Sequence, residues 1–230
     1  MDSDTAYENV IVYHGSDHIL KEPIYQGGKT DNDYGNGFYT TEYKDRAKSW
    51  AVLNGDPEYS FVNRYILNTS GLKIMDLNDY GILAWIAEVI ANRGTSLESA
   101  EITGSRIVEM YRISTADFDI IKGYRADDSY FSFAADFING AISYRQLSNA
   151  MRLGKLGKQF VLKSKRSFKR LRFLGYETAD YREWYKKKAF RDKSARRQYF
   201  DVERNRRQKG DLYITTILDE EMTADDPRIR

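Results

Sequence analysis

The stretch VIVYHGS, residues 10–16, ends a β-branched run with an imidazole, a glycine and a hydroxyl: His14, Gly15 and Ser16. An imidazole holds or passes a proton near neutral pH, a glycine lets a ligand come close to the backbone, and a hydroxyl both donates and accepts. A lone histidine among apolar neighbours also reads as a satisfied core residue, so both roles stay open. A second group occupies residues 31–51, DNDYGNGFYTTEYKDRAKSWA. Gly35 and Gly37 shape a turn there, Thr40 adds a hydroxyl, and Tyr39 and Trp50 lie eleven residues apart. A fold that brings the two rings face to face would make a flat slot for a planar heteroaromatic, where stacking adds roughly 0.5–1.5 kcal/mol beyond area burial. Plain packing of Tyr39 and Trp50 is the alternative.

The elements that must position these side chains are readable from periodicity. Residues 10–16 predict a buried strand whose last residues emerge at its carboxyl end. GFYTT predicts a second short strand, and the segment from Glu42 has helical spacing, with Ala47, Trp50 and Ala51 on one face. FVNRYILNTSGLKIMDL reads as strand, Ser-Gly turn, strand. DYGILAWIAEVIANRG predicts a helix with apolar positions at Ile82, Trp85, Ile86, Val89 and Ile90, closed by Gly94. After a further amphipathic helix, FDIIKGYRADDSYFSFAADFING starts β-branched, turns at Gly123 and becomes helical near Asp127 or Asp128. YRQLSNAMRLGKL is another helix, residues 159–164 and 169–174 are expected strands, and DLYITTI reads as a late strand. The mixture predicts an α+β domain over residues 1–178, followed by a basic helical arm and acidic tail over 179–230.

A chain of 230 residues with 41% hydrophobic content fills one sizeable core, while 30% charge and a mean hydropathy of -0.65 give a well-solvated surface. No run approaches the roughly 20 apolar residues of a membrane span, and the start MDSDTAYENV lacks the basic and apolar regions of a signal peptide, so the cytoplasm is the expected location. The absence of cysteine excludes disulfides, thiolate metal sites and cysteine nucleophiles. Two histidines, His14 and His18, argue against a multi-histidine centre, and no metal is expected. Charge is uneven: residues 182–209 hold 12 Lys/Arg against 4 Asp/Glu, a balance of +8 within a total of +2, which leaves -6 for the rest.

YHGS, then YGNGFYTT, then a helix ending in an aromatic resembles the ADP-ribosyltransferase superfamily, in particular the catalytic domain of poly(ADP-ribose) polymerases. In that domain the corresponding pieces read HGT, GKGIYFA and a helix tyrosine. GKQFVLKSKRSFKRLRF is similar to the later strand pair of the same fold, with Gln159 at the position of the motif glutamate. From Val10 to about Glu177 the chain resembles an uncharacterised bacterial family grouped in that superfamily, whose members often sit beside a small partner gene in a toxin-antitoxin-like arrangement. The resemblance implies a split mixed or antiparallel β core with helices, and NAD as co-substrate. It implies that His14 bonds the nicotinamide-ribose hydroxyl, that Gly15 backbone groups pair with the carboxamide, and that Tyr39 and Trp50 sandwich the nicotinamide ring. Ser16, Gly37 and Thr40 complete the expected cofactor contacts.

Two departures bear on the chemistry. Trp50 in place of the helix tyrosine keeps a stacking face, whereas Gln159 in place of glutamate removes a charge and a general base. Transfer of a single ADP-ribose to a protein or nucleic acid is then the expected reaction, with NAD hydrolysis as a side activity. A small antitoxin-like protein is the expected partner of an intracellular bacterial toxin. A catalytically silent binding module of the same fold is the rival reading. Arg125, Asp127, Asp128 and Tyr130 lie at the expected strand-to-helix junction, where Asp127 is expected to put a catalytic carboxylate at the ribose, Arg125 a guanidinium at the pyrophosphate and Tyr130 a further cofactor contact, while Asp128 suits helix capping. In the basic arm, Trp184, Tyr185, Phe190, Tyr199 and Phe200 alternate with Lys and Arg. That pattern fits a solvated helix docked by its aromatics, a nucleic-acid surface or a site for an acidic partner protein.

Overall fold

The structure is a computed structural model that describes residues 8–54, 58–94, 100–126, 128–153 and 157–229. The chain is a mixed α+β fold in which two sheets meet along a seam. One sheet is antiparallel, ordered β1 (Asn9–Ser16), β3 (Phe61–Asn68), β7 (Leu171–Thr178). The other is mixed, ordered β2 (Phe38–Thr40), β6 (Lys158–Leu162), β5 (Ile120–Tyr124), β4 (Ile74–Asp76), with β4 and β5 parallel and the remaining pairs antiparallel. Val10 and Val12 of β1 are buried while Ile11 is exposed, the period of two that a half-buried strand requires. The sheets touch where Tyr13 and Thr41 exchange backbone hydrogen bonds of 2.8 and 2.9 Å. The strand, turn and strand expected of FVNRYILNTSGLKIMDL are present as β3 and β4, which belong to different sheets.

Helix α1 (Lys44–Ala51) lies across β1 with Ala47 and Ala51 buried. A Cβ on Gly15 would stand 2.0 Å from the Ala47 carbonyl oxygen, so only glycine permits this helix to approach the strand so closely. Helix α2 (Gly81–Arg93) is buried from Leu83 to Val89, wider than the expected stripe, because α3 (Glu101–Tyr111) packs against it and it lies within the larger apolar cluster. That cluster also takes in α4 (Asp128–Ile138) and α5 (Tyr144–Ala150), whose capping box joins Ser143 and Gln146. A short helix, α6 (Lys165–Lys169), joins β6 to β7, the two strands expected at 159–164 and 169–174, and is started by a Ser164 cap that accepts from the Ser167 N–H.

The segment after residue 178 is not a loose extension. Helix α7 (Tyr181–Asp201) is one continuous helix, capped by Asp180, and buries Trp184 against α1 and β3 and Tyr199 against Phe133. DLYITTI, read as a strand, instead carries α8 (Ile214–Asp219). Ile214, Ile217 and Leu218 stand at i, i+3 and i+4 and enter the larger apolar cluster, so burial on one helix face overrides β-branched propensity. No helix among the described residues is long and apolar enough to cross a membrane.

Candidate functional site

A cleft of about 790 Å³ opens at the seam between the sheets, lined by His14, Gly15, Gly37, Tyr39, Trp50, Arg125 and Gln159 among others. Residues scattered from 14 to 159 in the chain are thus brought together. His14 Nδ1 lies 2.7 Å from the Tyr39 carbonyl oxygen. A carbonyl only accepts, so Nδ1 carries the proton and donates, and in the neutral ring Nε2 is left as an acceptor. Burial pushes the His14 pKa below its usual value, outweighing the Tyr39 hydrogen bond, so the imidazole stays neutral at pH 7. Strand alternation sends the Gly15 N–H and C=O to the same edge as those of Tyr13, which is the edge that reaches the other sheet. Beyond the Tyr13–Thr41 bridge, that edge borders the cleft.

Tyr39 lines the cleft and anchors the preceding loop through its hydroxyl, which donates to the Gly35 carbonyl at 2.7 Å and accepts from the Tyr34 N–H at 2.9 Å. Gly35 sits at φ +69°, a left-handed turn that glycine adopts readily. Lys163 fixes the same loop by donating to the carbonyls of Tyr34 and Asn36. Trp50 reaches the cleft from α1, and the Arg125 guanidinium lies over its ring, 4.7 Å from the centroid. Tyr39 and Trp50 thus line one cleft without a ring contact between them, and Trp50 holds a cation against its aromatic face.

Gln159 is buried at 2% exposure on β6, opposite Gly123 of β5. Its Nε2 donates to Asp33 Oδ2 at 3.0 Å and to the Tyr124 carbonyl at 3.4 Å. Both partners are acceptors, which fixes the amide orientation and leaves Oε1 as the accepting end. Asp33 was missed by sequence reasoning. Only 8% exposed, it also accepts from Arg93 Nη1 at 2.9 Å through Oδ1 and from the Ala126 N–H at 2.9 Å through Oδ2. The position expected to hold a glutamate thus holds a neutral amide with an aspartate bonded directly behind it.

Three of the expected site residues that the structure describes lie elsewhere. Thr40 is fully buried on the face of β2 opposite Tyr39, its hydroxyl donating to the Phe160 carbonyl at 3.0 Å. Ser16 donates to the His18 carbonyl at 2.7 Å and accepts from Asn63 at 3.0 Å, which shapes the turn after β1. Tyr130 is a core residue at 1% exposure, with its hydroxyl on the Leu153 carbonyl at 3.0 Å and its ring against Tyr124 and Phe133. Asp127 lies outside the described residues, and α4 begins at Asp128. Lys29, Arg93, Arg125 and Lys188 face the cleft against Asp31 and Asp33, which gives the lining a cationic surplus. Among the described residues no group of three or more His, Asp or Glu is placed to hold a metal ion.

Residues 10–173 match a family described as a protein of unknown function, DUF3990. The chain belongs to the DUF3990 family. The match spans both sheets up to the middle of β7 and covers every described residue expected at the site. In this DUF3990 chain, α7 and the segment beyond it follow the matched region. Neither the comparison with curated proteins nor the comparison with solved structures gives a match.

Proposed function

We propose that the chain is a NAD-dependent mono-ADP-ribosyltransferase. The observation that carries this reading is the convergence of His14, Tyr39, Trp50 and Gln159 on one cleft at the sheet seam. These are the residues that the motif resemblance assigns to the nicotinamide riboside. In this reading the N-glycosidic bond between nicotinamide and the ribose C1′ breaks and the electron pair leaves with nicotinamide. An acceptor nucleophile then bonds C1′ and gives up its proton. Tyr39 and the Trp50 wall hold the nicotinamide ring, and the open edge at Gly15 offers one donor and one acceptor to its carboxamide. His14 Nε2 accepts from a ribose hydroxyl.

The transition state carries positive charge on the ribose, and a preorganised carboxylate in a dry site stabilises it. Gln159 supplies none by itself, but its Oε1 accepts from a ribose hydroxyl while its Nε2 bonds the Asp33 carboxylate. A hydrogen-bonded chain of this kind polarises along its length, so Asp33 acts through Gln159. The cationic surplus of the lining suits the NAD pyrophosphate. A cytoplasmic toxin held in check by a small partner protein belongs to the same proposal and rests on the resemblance. The neutrality of Gln159 favours one rival, a silent fold that binds without catalysis.

Calorimetric titration with NAD tests the reading, together with labelled-NAD incubation in a lysate followed by nuclease and protease digestion. Wild-type protein is expected to bind NAD and to transfer label. Trp50→Ala is expected to weaken binding by about tenfold at unchanged melting temperature, the upper range of an aromatic stacking contribution. A folded wild-type protein without NAD affinity would overturn the enzyme reading. NAD affinity without label transfer or NAD hydrolysis would establish the silent module.

A further inference from the structure

One face of α7 leads away from the cleft. Lys188, paired with Asp192 at 2.6 Å, lines the cleft, and on the other side it lines a shallow depression of about 530 Å³ formed with Tyr185, Ala189, Asp192, Lys193, Arg196, Arg197 and Phe200. These positions recur at intervals of three and four, so they stack along one side of the helix. At 1.5 Å per residue the strip from Tyr185 to Phe200 is about 22 Å long. The buried side of α7, at Trp184, Ala195 and Tyr199, faces the body of the protein, and the strip faces water.

The strip is both cationic and aromatic. Helix α7 carries 8 Lys/Arg against 3 Asp/Glu, a balance of +5. Tyr185 is 51% and Phe200 47% exposed, and the Tyr185 ring stacks on Tyr181 with centroids 5.4 Å apart. Cations alone would suit any polyanion. Exposed rings set among the cations match a polymer that alternates phosphates with planar bases. A duplex hides its bases, and the carboxylates of an acidic peptide bring no ring with each charge, so the combination favours a single strand, which has a base at every phosphate.

We propose that the α7 strip binds single-stranded nucleic acid and delivers it to the cleft as the acceptor. This rests on the transferase reading for the delivery, while the binding itself does not depend on NAD. Phosphates lie against Lys193, Arg196 and Arg197, a base stacks on Tyr185, and Lys188 marks where the strand passes the cleft rim.

Fluorescence anisotropy of the full chain tests the binding without NAD, with end-labelled 12-nucleotide RNA and DNA single strands, the matching duplexes and a labelled polyglutamate. Either single strand is expected to bind at least tenfold more tightly than its duplex and than polyglutamate. Tyr185→Ala is expected to weaken single-strand binding about tenfold and Tyr185→Trp to restore it, the behaviour of a stacking platform. Replacing Lys193, Arg196 and Arg197 with Gln is expected to lower the slope of log affinity against log salt by about 2, because each phosphate contact on a single strand contributes about 0.7. Each variant should keep the wild-type melting temperature and NAD affinity. Equal affinity for single strand and polyglutamate, or a Tyr185→Ala variant that binds like wild type, would overturn the proposal. If NAD affinity is absent while single-strand binding follows these expectations, the transferase reading fails and the nucleic-acid surface stands. Label transfer to protein alone in the lysate would overturn the delivery step.

Discussion

The cleft floor at Asp33 and the core at Phe133 are both hidden from water, at 8% and 0% exposure, but they are held in different ways. Phe133 sits among rings, with Tyr199 4.2 Å and Tyr130 6.2 Å away between centroids. Its position depends on volume and contact, which are insensitive to direction. Asp33 is fixed by three directional bonds, from Arg93 of α2, Gln159 of β6 and the Ala126 N–H after β5. A core of the first kind tolerates another apolar side chain of similar size. A floor of the second kind is disturbed by a change of one atom.

The sharpest separation is expected from Phe133→Ala, which leaves a cavity and should cost about 4 kcal/mol of stability by denaturant titration. NAD affinity of the folded fraction should be unchanged, and a matching loss of affinity would show that the two regions are not separate. Asp33→Asn conserves volume and removes the charge behind Gln159. Turnover of labelled NAD should fall about 10²-fold, the scale of one preorganised electrostatic group, and Gln159→Glu should restore part of it. Full activity in Asp33→Asn would reduce Asp33 to a loop anchor. Tyr39→Phe keeps the ring and removes the bonds to Gly35 and Tyr34, with an expected loss of about 1 kcal/mol in stability and retained NAD binding.

The smallest effect concerns pH. Burial lowers the His14 pKa, so below its ordinary value of 6.5 the unfolded chain takes up a proton that the folded chain refuses. His14 therefore contributes stability above about pH 6.5, and this is lost as the pH falls until the folded imidazole protonates. His14→Gln should flatten the melting temperature between pH 7 and pH 5. An unchanged profile would place the pH dependence on other groups.

The cleft was legible in the sequence wherever a residue's role followed from its own strand or helix. His14 at a strand end, Tyr39 on the next strand and Trp50 on the following helix are local placements, and Gln159 and Arg125 were found by motif and junction. Asp33 was not, because an acid in DNDYGNG reads as a turn former, and only Arg93, 60 positions away, shows that it is an anchored charge. Thr40, Ser16 and Tyr130 failed for the same reason from the other side. A hydroxyl looks like a ligand contact until the carbonyl that takes it is known, and for Thr40 that carbonyl lies 120 positions further along. The strand content was read well, whereas the assignment of β3 and β4 to separate sheets has no local signal. In 214–218 the i, i+3, i+4 spacing of Ile214, Ile217 and Leu218 was present and was outweighed by β-branched composition.

The pairing of β2 with β6 across 120 positions also sets an order of assembly on the ribosome. β1 and β3 have emerged within the first third of the chain and have each other to pair with, whereas β2 waits for a strand that does not yet exist. At 5–20 residues per second that wait is roughly 6–24 s. Throughout it the nascent chain has one wall of the cleft and an unfinished floor, since Asp33 and Arg93 are present but Gln159 arrives only with β6. The complete cleft therefore does not exist until synthesis has passed the second sheet.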